Sequence, residues 1–186
     1  MKDLRINEKR LWDTLMEMGE IGGTEKGGCN RLAGTDLDKQ ARDLFVSWCK
    51  TAGCEIAVDK IGNIFARRPG TNNDLPAVAT GSHLDTQPTG GKFDGVFGVL
   101  SGVEVLRTLH DNNIETPTPM EFSVWTNEEG SRFQPAMQGS GTYVGRFDLE
   151  TELNKTDVDG IKLGDELKRI GYLGDAELGS RHVGAF

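Results

Sequence analysis

This sequence predicts a layered α/β fold built on a sheet with parallel strands, on three observations. "LPAVATGS" (75–82) is a short, nearly unbroken apolar run of the kind buried on both faces of a sheet. From Asp94 to Asn112, Val96, Val99, Leu100, Val103, Leu106 and Leu109 trace one buried face of a helix. "PTPMEFSVWTN" then alternates Met120, Phe122 and Val124 with more polar neighbours, the two-residue period of a strand. Strand, helix and strand within about fifty residues make a crossover, and a crossover of that length joins parallel strands.

The remaining elements follow from periodicity and breakers. "NEKRLWDTLMEMGEIG" carries Leu11, Leu15 and Met18 at helical spacing, with Gly19 and Gly22 to end it. "GGTEKGGCNRLAGTDLD" lacks the GK[ST] ending of a phosphate-binding loop and reads as a flexible loop near a site. Leu37, Ala41, Leu44, Phe45 and Trp48 mark a second helix, capped by Thr35 or Asp36 and ended by Gly53, that packs on the sheet. "CEIAVDKIGNIFARRPG" alternates and breaks at Gly62-Asn63, a β-hairpin pattern. "GSGTYVGRF" begins a short helix, and "IKLGDELKRIGYLG" holds a further one ended by glycine.

Composition narrows the function classes. Acids outnumber bases 29 to 21, for a formal charge of -8, and Arg67-Arg68 is no extended basic stripe, so nucleic acid is excluded as a partner. No apolar run approaches the ~20 residues that cross a bilayer, and "MKDLRINEKR" is too polar for a signal peptide. The expectation is a cytoplasmic protein that does not engage membranes. The three cysteines, Cys29, Cys49 and Cys54, fit reduced thiols with small buried side chains rather than a disulfide framework. Cys49 and Cys54 have the chemistry of metal ligands, but no second pair accompanies them.

The chemistry lies in "GSHLDTQPTGGKFDGVFG" (81–98) and in Glu128-Glu129. In open α/β sheets, ligands gather outside the carboxyl ends of strands. His83 falls just past the 75–82 strand, Asp94 at the start of the following helix, and Glu128-Glu129 just past the 119–127 strand. Taken singly, His83 reads as a structural histidine, Asp94 as a helix N-cap and the glutamates as solvated strand-end charge. Independent surface residues have no reason to converge on one sheet edge, and Gly90, Gly91 and Gly95 allow close backbone approach there. Imidazole and carboxylates are the donor set for Zn²⁺, Mn²⁺ or Co²⁺, and a carboxylate can bridge two ions. Asp85 is placed to accept the second ring N–H of His83 and fix its tautomer. One of the adjacent glutamates can then bind metal while its neighbour serves as general base.

"GSHLDTQPTGGKFDGVFGV" and "FSVWTNEEGSRFQPAMQGSG" resemble the hydantoinase/carbamoylase group of dinuclear metal amidases, within the M20 metallopeptidase superfamily. The likeness runs from about "IGGTEKGGCNRLAGTD" to the last residue. It implies a layered α/β/α catalytic domain of M20 zinc-peptidase type with a mixed, largely parallel sheet. It further implies two divalent metal ions per full-length subunit, zinc, manganese or cobalt, with His83 on one, Glu129 on the other, Asp94 bridging them and Glu128 the general base. A cis peptide between Asp94 and Gly95 is part of the same expectation. The implied reaction is hydrolysis of the ureido C–N bond of N-carbamoyl-L-amino acids or 3-ureidopropionate, with allantoate as the alternative substrate. An M20 aminoacylase or peptidase shares the ligands but not "NEEGSRF".

Members of that group are more than twice as long and carry further ligand histidines beyond a segment like "RHVGAF", together with a dimerisation domain. His182 comes too early in that segment to be such a ligand, and His110 lies on a helix beyond its first turn. Residues 1–186 are therefore expected to be the N-terminal portion of the metal-binding catalytic domain, inactive alone, from a full-length homodimer acting on a small molecule. A non-catalytic truncated fragment is the reading from another class.

Overall fold

The structure, a computed structural model, describes residues 4–181; His182 lies outside them. Helix α1 (Glu8–Glu20) is capped by Asn7, whose side chain accepts from the Arg10 amide, and α2 (Asp36–Thr51) by Thr35, which accepts from Asp38. Strands β1 (Glu55–Val58) and β2 (Ile64–Arg68) form the expected hairpin, registered Val58 with Ile64. Strand β3 (Val78–His83), helix α3 (Val96–Asp111) and strand β4 (Met120–Trp125) form the crossover. Three short helices follow: α4 (Gln138–Tyr143), α5 (Leu149–Leu153) and α6 (Leu163–Arg169). Of these, α5, capped by Asp148, is not among the helices the sequence predicted.

The four strands lie in the order β1-β2-β4-β3. Within this sheet parallel pairing is confined to β3 and β4, since the hairpin docks on β4 in the antiparallel sense. The strand expected at 75–82 starts later, at Val78, and includes His83. It is also not buried on both faces: as the edge strand it leaves Val78, Ala79, Thr80 and Gly81 exposed, while β4, paired on both sides, is the buried strand. An apolar run alone does not distinguish a central strand from an edge.

One face of the sheet carries the core. Ile64, Ala66, Phe122 and Val124 pack with Leu15 of α1, Phe45 of α2 and the Val99/Val103 stripe of α3. All six apolar residues predicted for the buried face of α3 are buried. On the opposite face, Phe65, Trp125 and Tyr143 of α4 form a ring cluster with centroids 5.4–5.9 Å apart.

A buried polar network fixes the sheet end that bears the site. Arg42 and Asp38 of α2 form a fully buried ion pair, Nε to Oδ2 at 2.9 Å. The same guanidinium donates to the Gly62 carbonyl in the hairpin turn at 2.8 Å, and Asp38 accepts the Gly34 amide at 2.8 Å. Asn63 continues the chain of bonds, its Oδ1 accepting the Thr126 amide at 2.9 Å just past β4. Arg42→Met would leave Asp38 buried without its cation, so it should cost about 3–5 kcal/mol of stability. Urea-induced unfolding followed by far-UV circular dichroism measures this.

Candidate metal centre

His83 ends β3, and Trp125, its partner in the parallel register, ends β4. The residues that follow each strand therefore emerge side by side. Asp85, two residues past His83, is buried, and its carboxylate clasps the other segment: Oδ1 accepts the Glu128 amide and Oδ2 the Glu129 amide, each at 3.2 Å. Burial is the main influence on this carboxyl and raises its pKa to about 6, with Asp38 adding to the rise; His83 and the two amide bonds act the other way. A carboxyl raised in this way binds its proton more tightly folded than unfolded, so its ionisation takes stability away as pH climbs from about 4 to 6.

This geometry corrects the role expected of Asp85 toward His83. Nδ1 of His83 is 2.8 Å from the Asp85 main-chain carbonyl, whereas the nearest carboxylate oxygen is 3.9 Å away. The carboxylate has turned to the two amides, and the carbonyl takes its place as acceptor. The effect on the ring is the one expected: Nδ1 carries the proton, which leaves the Nε2 lone pair facing the centre.

Asp94 lies just before α3. Its side chain does not cap the helix, whose N-cap is Gly95 with no side-chain hydrogen bond. Gly95 has φ 67°, and an added Cβ would fall 2.4 Å from the His83 ring, so the glycine is what admits the imidazole. The expectation of a cis Asp94-Gly95 bond is not met: among the described residues the cis peptide is Gln134-Pro135.

Ligand atoms of His83, Asp94 and Glu129 all lie within 4.8 Å of one another. Glu129 Oε2 accepts from Gln87 Nε2 at 3.1 Å, while Oε1 is buried with no hydrogen-bond partner. A carboxylate oxygen denied both water and a donor is costly unless a cation meets it, so the donor set and the orphaned oxygen together fit a divalent ion. Glu128 points its Oε2 to 3.4 Å from His83 Nε2, and its side chain is 32 % exposed. The four residues singled out for metal or base chemistry are thus brought together. His110 sits in the last turn of α3, away from the strand ends.

Two contributors had no sequence signal strong enough to single them out. Gln87 orients Glu129 from within the His83–Asp94 loop. Arg31 is buried, its guanidinium donating to the Leu84 carbonyl at 2.8 Å, between His83 and Asp85, and to Met18 and Ile21 carbonyls. Its main chain bonds Thr86 in both directions, and Cys29 likewise exchanges amide bonds with Gly90, so the glycine-rich loop is fastened along the ligand loop. A long cation in a stretch of small residues was the available clue.

Residues 79–171 match Peptidase family M20/M25/M40. The chain belongs to this family. It is 54 % identical over 182 residues to an N-carbamoyl-L-amino-acid amidohydrolase of Rhizobium meliloti, covering 98 % of this chain and 44 % of the relative. A crystal structure of a hydantoinase/carbamoylase family amidase from Burkholderia multivorans superposes with a TM-score of 0.95 at 57 % identity, covering 97 % of this chain and 44 % of that one. A ureidoglycolate hydrolase of Arabidopsis thaliana is 32 % identical over 176 residues, 94 % of this chain and 37 % of its own. The chain thus spans less than half the length of the relatives it matches.

Gly95→Ala forces a side chain into a positive-φ position and against the imidazole. It should cost about 1–3 kcal/mol of stability and weaken binding of Mn²⁺ or Zn²⁺. Thermal unfolding and isothermal titration measure the two effects.

Proposed function

We propose that this chain supplies the metal-binding half of the active site of an amidohydrolase. The enzyme cleaves the ureido C–N bond of N-carbamoyl-L-amino acids or 3-ureidopropionate, releasing the amino acid, CO₂ and ammonia. The observation that carries the reading is the convergence of His83, Asp94 and Glu129 around an unsatisfied carboxylate oxygen. The substrate class rests on the named relatives, and the higher identity to the carbamoyl-amino-acid enzyme favours it over an allantoate or ureidoglycolate reading.

His83 through Nε2, Glu129, and Asp94 with two oxygens to share are the side chains that would hold a pair of zinc, manganese or cobalt ions. Such ions, when bound, polarise a carbonyl and bring the pKa of water toward neutrality. The chain's own residues do the rest. Asp85 fixes the main chain of Glu128 and Glu129, so both carboxylates leave one rigid segment. Glu128, partly open to solvent, takes the proton from the attacking water and passes it to the departing nitrogen. His83 is held in one tautomer by the Asp85 carbonyl, and Gln87 steers Glu129. A cytoplasmic location fits three free, buried cysteines, and a homodimeric full-length enzyme fits the family resemblance.

Full-length protein supplied with Mn²⁺ or Co²⁺ should release ammonia from N-carbamoyl-L-amino acids; metal-loaded protein without turnover would overturn the reading. Glu128→Gln should lower kcat by about 10²–10⁴-fold, the usual worth of a general base, while retaining metal measured by plasma mass spectrometry. Loss of metal from that variant would instead make Glu128 a ligand.

A further inference from the structure

Helix α2 ends in a way that brings two thiols together. Gly53, with φ 82°, follows the helix; its amide donates to the Lys50 carbonyl, and the Cys54 amide reaches back to the Cys49 carbonyl, each at 3.0 Å. This pair of bonds is the Schellman motif, in which the side chains of the first and last residues pack against each other. Those residues here are Cys49 and Cys54, both buried in the core cluster, with thiols near enough to influence each other's ionisation. A main-chain bond between residues five apart keeps their Cα atoms within the span a disulfide bridges, and the motif packs the two side chains against each other.

We propose that Cys49 and Cys54 are an oxidisable pair that forms an intrachain disulfide with a low-molecular-weight disulfide such as oxidised glutathione. Cys54 is the first nucleophile. It is the more exposed of the two, 7 % against 0 %, and the neighbouring Cys49 favours its thiolate. Arg68, whose Nη1 is buried without a hydrogen-bond partner, lies near enough for its charge to favour the Cys54 thiolate. The Cys54 thiolate attacks one glutathione sulfur and expels a glutathione thiolate, leaving a mixed disulfide. Cys49 then gives up its proton and attacks the Cys54 sulfur, expelling the second glutathione thiolate. The chain loses two electrons and two protons, and both are recovered in two molecules of reduced glutathione. Neither cysteine belongs to the His83–Asp94–Glu129 cluster, so the proposal does not depend on the hydrolase reading.

Trypsin cuts after Lys50, between the two cysteines, and separates DLFVSWCK (43–50) from TAGCEIAVDK (51–60). The purified chain is equilibrated with oxidised glutathione, acid-quenched, alkylated with N-ethylmaleimide, digested and analysed by mass spectrometry. The incubation is repeated at urea concentrations below the unfolding transition, so that slow access to the buried pair does not decide the result. The expected product is a linked pair of these two peptides, lost on excess reduced glutathione, with the Cys29 peptide alkylated. Cys49→Ser should instead accumulate a glutathione adduct on Cys54. Across the urea series, separate alkylated peptides, stable glutathione adducts in the unsubstituted chain, or linkage through Cys29 would each overturn the proposal.

Discussion

The structure around the site depends on one carboxylate. Asp85 follows β3, and its two oxygens hold the amides of Glu128 and Glu129, which follow β4. Parallel pairing brings the two strand ends level, but pairing stops at His83 and Trp125, and backbone beyond a ladder has no partner of its own. Asp85 supplies those partners. Its burial raises its pKa toward 6, so the clasp carries a desolvation cost that the two amide bonds offset in part. A neutral amide side chain in its place would present a single acceptor oxygen to two donors, which is the physical reason for an aspartate here.

Charge balance at this sheet edge points outward from the chain. Asp85, Asp94, Glu128 and Glu129 gather beside a single imidazole. The two fully buried arginines nearby are committed elsewhere. Arg42 serves Asp38 and the hairpin turn, and Arg31 spends its donors on carbonyls and the Cys29 sulfur. Burial pulls the Arg31 guanidinium below its ordinary pKa, since no carboxylate is hydrogen-bonded to it. Neither arginine reaches Glu129 Oε1, and the family to which the chain belongs is metal-dependent.

Much of this was legible in the sequence, for reasons that differ by element. The buried stripe of α3, the cap of α2 and the hairpin are local patterns, and local patterns survive folding. His83, Asp94, Glu128 and Glu129 were legible as a group because the crossover places all of them at one end of two adjacent strands. What was not legible depends on which of two nearby atoms turns inward. The Asp85 carbonyl and carboxylate compete for His83 Nδ1, and two amides 43 and 44 residues away decide the outcome. The exposure of β3 was hidden for a similar reason, because hydrophobicity reports what a strand can bury and not which neighbours are there to bury it.

The adjacent glutamates show how one anchored segment yields two different carboxylates. Their amides share Asp85, so neither side chain can change position by moving the backbone. Both side chains are partly exposed, but their oxygens are met differently. Glu129 is tied by Gln87 and has an oxygen sealed from water, an environment that suits permanent coordination. Glu128 stands against the imidazole with about a third of its side chain in solvent, where a proton can come and go. Exchanging the two roles would leave the sealed position unable to trade protons with water and the open one bound to a fixed charge. The buried, unpartnered Oε1 of Glu129, beside a Glu128 that faces the imidazole, is what supports assigning the base to Glu128 and the ligand to Glu129.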